Sequence, residues 1–319
     1  MEKLPVIVVV GPTASGKTAL SVALAKRYDA EIISADSMQI YRGMDIATAK
    51  PTAEERQGIA HHLMDFLPVT ETYSVASFVK DAKAAAEEIR SRGKTVIVCG
   101  GTGLYTDALI GNMQFEPEPD HTQLRQTLRR RLEEEGVDAL YAQLKEIDPA
   151  DAERICPQNE VRVLRALEIW YATGELPSER RKRALSQESD FLPVWIGLGF
   201  ENRENLYRRI ERRVDAMLDA GLLEETRRYL SERHGPTAAQ AIGYKELAPY
   251  LRGEITFEEA KERLVRATRR YAKRQLTWFR RNPEIHWICR DAMTELQLLD
   301  AARTVIDGFF DALNIQSKK

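Results

Sequence analysis

The stretch Val6–Leu20, "VIVVVGPTASGKTAL", sets Gly11, Gly16, Lys17 and Thr18 at the spacing G-x-x-x-x-G-K-[ST]. Glycines at those places let backbone N–H groups converge on phosphate oxygens. The helix expected to follow adds the positive end of its dipole. Lys17 supplies a point charge, and the Thr18 hydroxyl a ligand for Mg²⁺. The loop therefore predicts a diphosphate or triphosphate with Mg²⁺. It leaves open whether that phosphate is transferred, spent as fuel or discarded as a leaving group. The plain alternative is a glycine turn joining a strand to a helix.

Other candidates stand further along the chain. Asp36 closes "AEIISAD" and would face the loop. A carboxylate there could hold a metal through water or take a proton from an acceptor. It could also cap a turn. Lys50 and Arg42 could meet anions or simply be solvated. The stretch "TVIVC" runs into "GGTGLY" without the acid that a P-loop ATPase carries there, which argues against fuel use. Thr102 is then the polar group expected to point into the site. "HHLMD", His61 to Asp65, invites a metal, but adjacent histidines diverge and no third ligand stands at a useful spacing. In "RIERRVDAML", Ile210, Val214, Met217 and Leu218 share a helix face. Arg213 lies beside that face, as a phosphate clamp or as a surface arginine.

These residues need elements to position them. Val6–Val10 predicts a buried strand and Thr18–Tyr28 a helix. A second strand ends at Asp36, and "SVASFVKDAKAAAEEIRSRGK" predicts a helix stopped near Gly93. "TVIVCGG" is a third strand. This alternation predicts an α/β fold, a P-loop NTPase-like parallel sheet flanked by helices. Ligands then bind at the carboxyl ends of the strands, so loops 11–18, 36–39 and 100–105 share one rim. "MQFEPEPD", Met113–Asp120, predicts a linker, and His121 to about Arg183 reads as helices only. The expected organisation is a core of 1–112 and 191–319 with a small all-helical insertion at 113–190. Phe191–Phe200 returns to the sheet, long helices run to Arg281, and a last strand lies near "EIHWICR" before a terminal helix.

The chain has 319 residues, 43% hydrophobic and 30% charged, with a net charge of −2. No apolar run reaches the roughly 20 residues of a membrane helix. The N-terminal apolar stretch enters a glycine loop and reads as a strand, not a signal peptide. Cys99, Cys156 and Cys289 form no zinc spacing, which predicts a reducing, cytoplasmic setting. Charge is uneven. "RATRRYAKRQLTWFRR", Arg266 to Arg281, holds seven basic residues and no acid. Its Arg270 and Arg274, with interleaved Tyr271, Trp278 and Phe279, suit RNA contact; a solvated helix with core aromatics is the alternative.

Together these residues resemble the tRNA dimethylallyltransferases, also called isopentenyl-tRNA transferases. The resemblance rests on "GPTASGKT", "SADSMQIYRGMDIATAKP", "HHLMD", "GGTGLY", "RVLRALEIWYATG", "RIERRVDAMLDAGLLEE" and "QAIGYKEL", in order from residue 11 to about 281. Two departures are visible: Ala47 stands where the family usually has glycine, and "NEVRVLRALE" lacks the usual Asp-x-x-Arg start. The missing zinc finger of eukaryotic relatives implies a bacterial type. The resemblance implies transfer of the dimethylallyl group of dimethylallyl diphosphate to N6 of the adenosine 3′ of the anticodon. Diphosphate is then the leaving group. It implies catalytic roles for Asp36 (the base), Thr102, Lys17 and Arg213. Diphosphate would be bound by Gly11, Thr13, Ala14, Ser15, Gly16, Lys17, Thr18 and Arg213, with Mg²⁺ on Thr18. tRNA contacts are expected at Asp36, Ser37, Met38, Gln39, Thr102, Arg125, Arg162, Arg165, Lys245, Arg270 and Arg274, and the insertion would grip the anticodon stem-loop. No membrane partner is expected, and the enzyme is expected to be a monomer. The competing readings are a nucleoside or nucleotide kinase, a non-catalytic P-loop RNA-binding protein, and an isopentenyltransferase acting on free adenine nucleotides.

Overall fold

A computed structural model describes residues 3–115, 121–291 and 293–316. Six parallel strands form one sheet: β1 (Leu4–Val10), β2 (Ala30–Ser34), β3 (His61–His62), β4 (Thr95–Gly100), β5 (Phe191–Gly199) and β6 (His286–Cys289), in the order β3-β2-β4-β1-β5-β6. The centre is β1, with Val8 opposite Val98 of β4 on one side and Trp195 of β5 on the other. Its run of valines and Ile7 is buried on both faces, as a central parallel strand requires. β2 ends at Ser34, two residues before Asp36, which lies in the turn beyond the strand. β3 has no counterpart in the sequence reading, because two histidines carry no strand period.

Before β5 come α1 (Lys17–Arg27), α2 (Ala53–Arg56), α3 (Val75–Ser91), α4 (Gly103–Ile110), α5 (Thr122–Ile147), α6 (Pro149–Ala152), α7 (Glu160–Thr173) and α8 (Pro177–Ala184). After it come α9 (Arg203–Asp219), α10 (Leu222–Ser231), α11 (Tyr244–Leu251), α12 (Phe257–Phe279) and α13 (Glu295–Gln316). On one face of the sheet Ile7, Val9, Ile32 and Ile97 pack with Leu20 and Leu24 of α1 and with Leu298, Ala302 and Ile306 of α13. α3 lies against β2 and β4 and buries Phe78, Val79, Ala82 and Ile89.

The chain divides into two compact units, Met1–Ile110 with Ser189–Lys319, and Gly111–Glu188. The second unit holds α5 to α8 around its own core of Leu128, Leu140, Leu144, Val163 and Leu167. α5 breaks at Gly136, whose φ of 80° is non-helical. Of the expected linker, Met113–Phe115 are described, with the Gln114 N–H donating to the Ala184 carbonyl at 3.1 Å, whereas 116–120 lie outside the described residues.

Glu31 of β2 secures the short edge strand. It is 7% exposed and accepts from His62 Nε2 and from an Arg92 NH2, at 2.7 and 2.6 Å, with Lys94 Nζ 3.4 Å away. Burial pushes its carboxyl up, but the hydrogen bonds of His62, Arg92 and Lys94 overcome this and hold it at about 2. A carboxyl held below its ordinary 4.5 stabilises the fold above that pH. That contribution is lost as pH falls from about 4.5 to about 2. Glu31→Gln is therefore expected to lower stability at neutral pH and to flatten its loss across that acid window in urea titrations. A variant that loses stability with acid as steeply as the parent would show that other carboxylates dominate.

Candidate active site

The phosphate loop follows β1 and opens at the head of α1 (Lys17–Arg27). Gly16 sits at the N-cap with φ 96°, a conformation that favours glycine, and no side chain caps the helix. The first N–H groups of α1 thus stay free for an anion. The Ser15 hydroxyl is buried without a partner. Lys17 Nζ rests on the Pro12 carbonyl at 2.8 Å. Burial pulls its ammonium down to about 8, against the opposing pull of Cys99 and Asp36.

A cavity of about 390 Å³ opens beside the loop. Thr13, Lys17, Thr18, Asp36, Ser37 and Arg213 line its polar part, and Met38 also borders the cavity. Val214, Met217, Leu222, Ile242 and Leu264 form an apolar wall. Val214, Leu222 and Leu264 are no more than 2% exposed and belong to a core cluster, so that wall is firm. Arg213 reaches the loop because α9 buries Leu206, Ile210 and Val214 one turn apart, which sets Arg213 beside the buried stripe. Burial lowers the affinity of its guanidinium for the proton, while Asp36 and Glu55 raise it. A second cavity of about 620 Å³ adjoins the first and shares Lys17, Thr18, Arg213 and Met217.

Asp36 satisfies both sequence readings at once. Its Oδ1 accepts from the Met38 and Gln39 N–H groups at 2.9 and 3.3 Å, an Asx turn. The carboxylate nevertheless lines the cavity. Thr102 is half-buried, next to the lining residues Gly101 and Ser37. Its Oγ1 accepts from the Ser37 N–H at 3.1 Å and lies 3.3 Å from the Ser37 hydroxyl, which ties the two rim loops together. Gln39 also holds structure, with Nε2 donating to the Thr48 and Ala49 carbonyls at 3.2 Å each. Lys245 and Arg274 line the cavity, while Arg270 is exposed on α12. In the second unit Arg162 is exposed, and Arg125 and Arg165 both meet buried Glu168, at 2.7 and 3.1 Å. His61 and His62 turn to the Ile59 carbonyl and to Glu31. Among the described residues no cluster of three His, Cys, Asp or Glu side chains could hold a metal.

Two residues without an assigned role, and Lys50, prove central. Gln275 of α12 accepts from the Thr13 N–H at 2.8 Å and donates to the Gly101 carbonyl at 2.9 Å, bridging the phosphate loop to the loop after β4. A Cβ on Gly101 would lie 2.1 Å from that amide nitrogen, so the bridge needs glycine. Glu225 of α10 accepts from the Asp45, Ile46 and Ala47 N–H groups and from the Tyr244 hydroxyl, all within 3.0 Å. Lys50, nearly buried, joins the Tyr41 carbonyl, Asp45 and Asp65. Glu225 lies in the "GLLEE" motif and Gln275 in the basic helix. The only sequence signal was a polar residue inside an otherwise apolar stripe of α12: Ala260, Leu264, Ala272, Gln275 and Phe279. Trp278 is half-buried and donates to Asp107 at 2.8 Å, while Phe279 is in the core at 1% exposed.

Gln275→Leu leaves the Thr13 N–H and the Gly101 carbonyl unpaired. It is expected to cost about 2 kcal/mol or more in urea unfolding. A loss under about 1 kcal/mol would mean that water replaces the amide.

Residues 39–282 match the model of the IPP transferase family. A tRNA dimethylallyltransferase of Caldanaerobacter subterraneus is 44% identical over 292 residues, 90% of this chain and 92% of its own length. One of Anoxybacillus flavithermus is 48% identical over 283 residues, 88% and 89% of the two chains. The crystal structure of a tRNA isopentenylpyrophosphate transferase from Bacillus halodurans aligns with a TM-score of 0.73 at 41% identity, over 99% of this chain and 100% of that one. A eukaryotic dimethylallyltransferase described as acting on tRNA aligns at 0.82 with 31% identity, over 97% and 80%. With its phosphate loop, its rim carboxylate and these relatives across nearly its whole length, the chain belongs to the IPP transferase family, that of the tRNA dimethylallyltransferases.

Proposed function

We propose that this protein transfers the dimethylallyl group of dimethylallyl diphosphate to N6 of the adenosine 3′ of a tRNA anticodon. The observation that carries the proposal is a single cavity with a cationic phosphate cradle, an apolar wall and a carboxylate. The cradle suits diphosphate, and the wall of Val214, Met217, Leu222, Ile242 and Leu264 suits a short branched hydrocarbon. β4 ends in Cys99 and Gly100 with no acid to direct water at a phosphate, which suits a leaving group better than a fuel.

The N6 lone pair attacks the allylic carbon bound to oxygen, and the C–O bond breaks with its electron pair staying on diphosphate. Lys17, Arg213 and the free N–H groups of α1 receive that charge. One N6 proton passes to Asp36, whose turn employs only Oδ1. The loop suits a divalent ion bound through the substrate. Thr18 lines both cavities and the Ser15 hydroxyl is unpartnered, while the described residues alone offer no cage. Mg²⁺ would neutralise charge on the diphosphate when bound.

Lys245 and Arg274 at the cavity and the exposed bases of α12 support contact with a polyanion. Such a target base must leave its stack to enter the cavity. No helix among the described residues is long and apolar enough to cross a membrane, and Cys99, Cys156 and Cys289 are free. A cytoplasmic enzyme acting as a monomer belongs to the same proposal.

Asp36→Ala is expected to slow single-turnover transfer by about 10²-fold or more while tRNA still binds. Near-normal transfer would remove Asp36 as the base. The pH profile offers a second check. Lys17 is charged below about 8 in the free enzyme, so kcat/KM for the diphosphate donor should fall as pH rises through about 8. The kcat profile should break at higher pH, because bound diphosphate holds the proton on Lys17. A kcat/KM that stays flat to pH 10 would contradict a binding role for the Lys17 charge.

A further inference from the structure

Arg209 stands one helical turn before Arg213 on α9 and takes no part in the steps above. Its Nε–H donates to the Ala14 carbonyl at 2.7 Å. Ala14 has φ 63°, the left-handed region that a residue with a Cβ occupies at a cost. Strain of this kind persists only where the surroundings enforce it. The Arg209 bond is such an enforcement, because it holds the carbonyl of the strained residue.

Arg290 approaches the same loop from the end of β6. A Cβ on Gly16 would lie 3.7 Å from an Arg209 terminal nitrogen and 3.8 Å from Arg290 Nε. Arg290 is 8% exposed. The Met293 carbonyl and Glu295 take its two terminal nitrogens, and its Nε is buried without a partner. Burial and the Arg290 and Arg212 charges make the Arg209 guanidinium easier to deprotonate than usual, and Glu295, paired with Arg290, offsets only part of this. Two like charges thus crowd the N-terminal end of α1, where the helix dipole is already positive. That concentration is unfavourable alone and favourable beside an anion.

We propose that Arg209 is a positioning residue for the diphosphate donor. Its bond to Ala14 keeps the loop in the anion-receiving form, and the positive collar it makes with Arg290 is relieved when diphosphate enters. The inference rests on the reading that this loop holds diphosphate. Without Arg209, the peptide between Ala14 and Ser15 can flip and let Ala14 leave the left-handed region. The loss then falls on donor affinity and spares the bond-breaking step.

The test compares the parent protein with Arg209→Gln and Arg209→Lys. Two quantities are read: the rise in Tm produced by inorganic pyrophosphate with Mg²⁺, and the split of KM against kcat for dimethylallyl diphosphate. Arg209→Gln is expected to lose most of the pyrophosphate-dependent rise and to raise KM about tenfold or more, with kcat nearly unchanged. A parent-like KM and Tm rise, or a fall in kcat at unchanged KM, would overturn the proposal. Should Arg209→Gln fail to fold, Arg209→Lys is read in the same way: a raised KM supports it, and parent values overturn it. A parent protein that pyrophosphate does not stabilise overturns the diphosphate reading itself, and this inference with it.

Discussion

The side-chain amide of Gln275 is the constraint on which the site depends. One helix residue accepts from the Thr13 N–H and donates to the Gly101 carbonyl, so the distance between two strand-end loops is set by two hydrogen bonds of 2.8 and 2.9 Å. The loop after β4 then carries Thr102, which holds Ser37 and with it the turn that presents Asp36. A fault at Gln275 therefore reaches the phosphate loop and the proposed base together. The same α12 (Phe257–Phe279) displays the exposed bases Arg266, Arg270, Lys273 and Arg274. The surface suited to RNA and the chemical centre are thus built on one rigid element.

The electrostatics follow from the proposed chemistry. A site that releases diphosphate must receive negative charge late in the reaction, so it gathers cations that are poorly compensated beforehand. Lys17 is brought down to about 8 by burial, and Arg213 and Arg209 also hold their protons less tightly than usual because they are buried. Asp36 faces Lys17 and Arg213, with Glu55 also near Arg213 and Glu295 near Arg209. A bound diphosphate would neutralise this excess, which makes the loop tight for the donor and indifferent to a neutral prenyl chain.

Much of this was legible in the chain because it is local. Five valines and isoleucines in Val6–Val10 require a buried strand, the glycine spacing requires the loop, and their order places the three loops on one rim. What stayed hidden is long-range or short of a period. Gln275 acts on residues more than 170 positions away, and Glu225 reaches back about 180 positions to the "DIA" N–H groups. No pattern within a helix announces such partners. Lys50, weighed as an anion contact or a solvated cation, is a buried tie between Asp45 and Asp65. The two-residue β3 shows no alternation, and its place comes from the pairing of His62 with Glu31. Ala47, the departure from the family pattern, donates its N–H to Glu225.

The most direct measurement of the central claim uses the purified protein with Mg²⁺, unmodified tRNA and isotopically labelled dimethylallyl diphosphate. A parallel reaction contains labelled ATP and a nucleoside or nucleotide acceptor. The account predicts label from the isoprenoid in tRNA, released diphosphate in equal amount, and no requirement for ATP. Label from ATP in the small acceptor, with none from the isoprenoid in tRNA, would contradict it and make the phosphate loop that of a kinase.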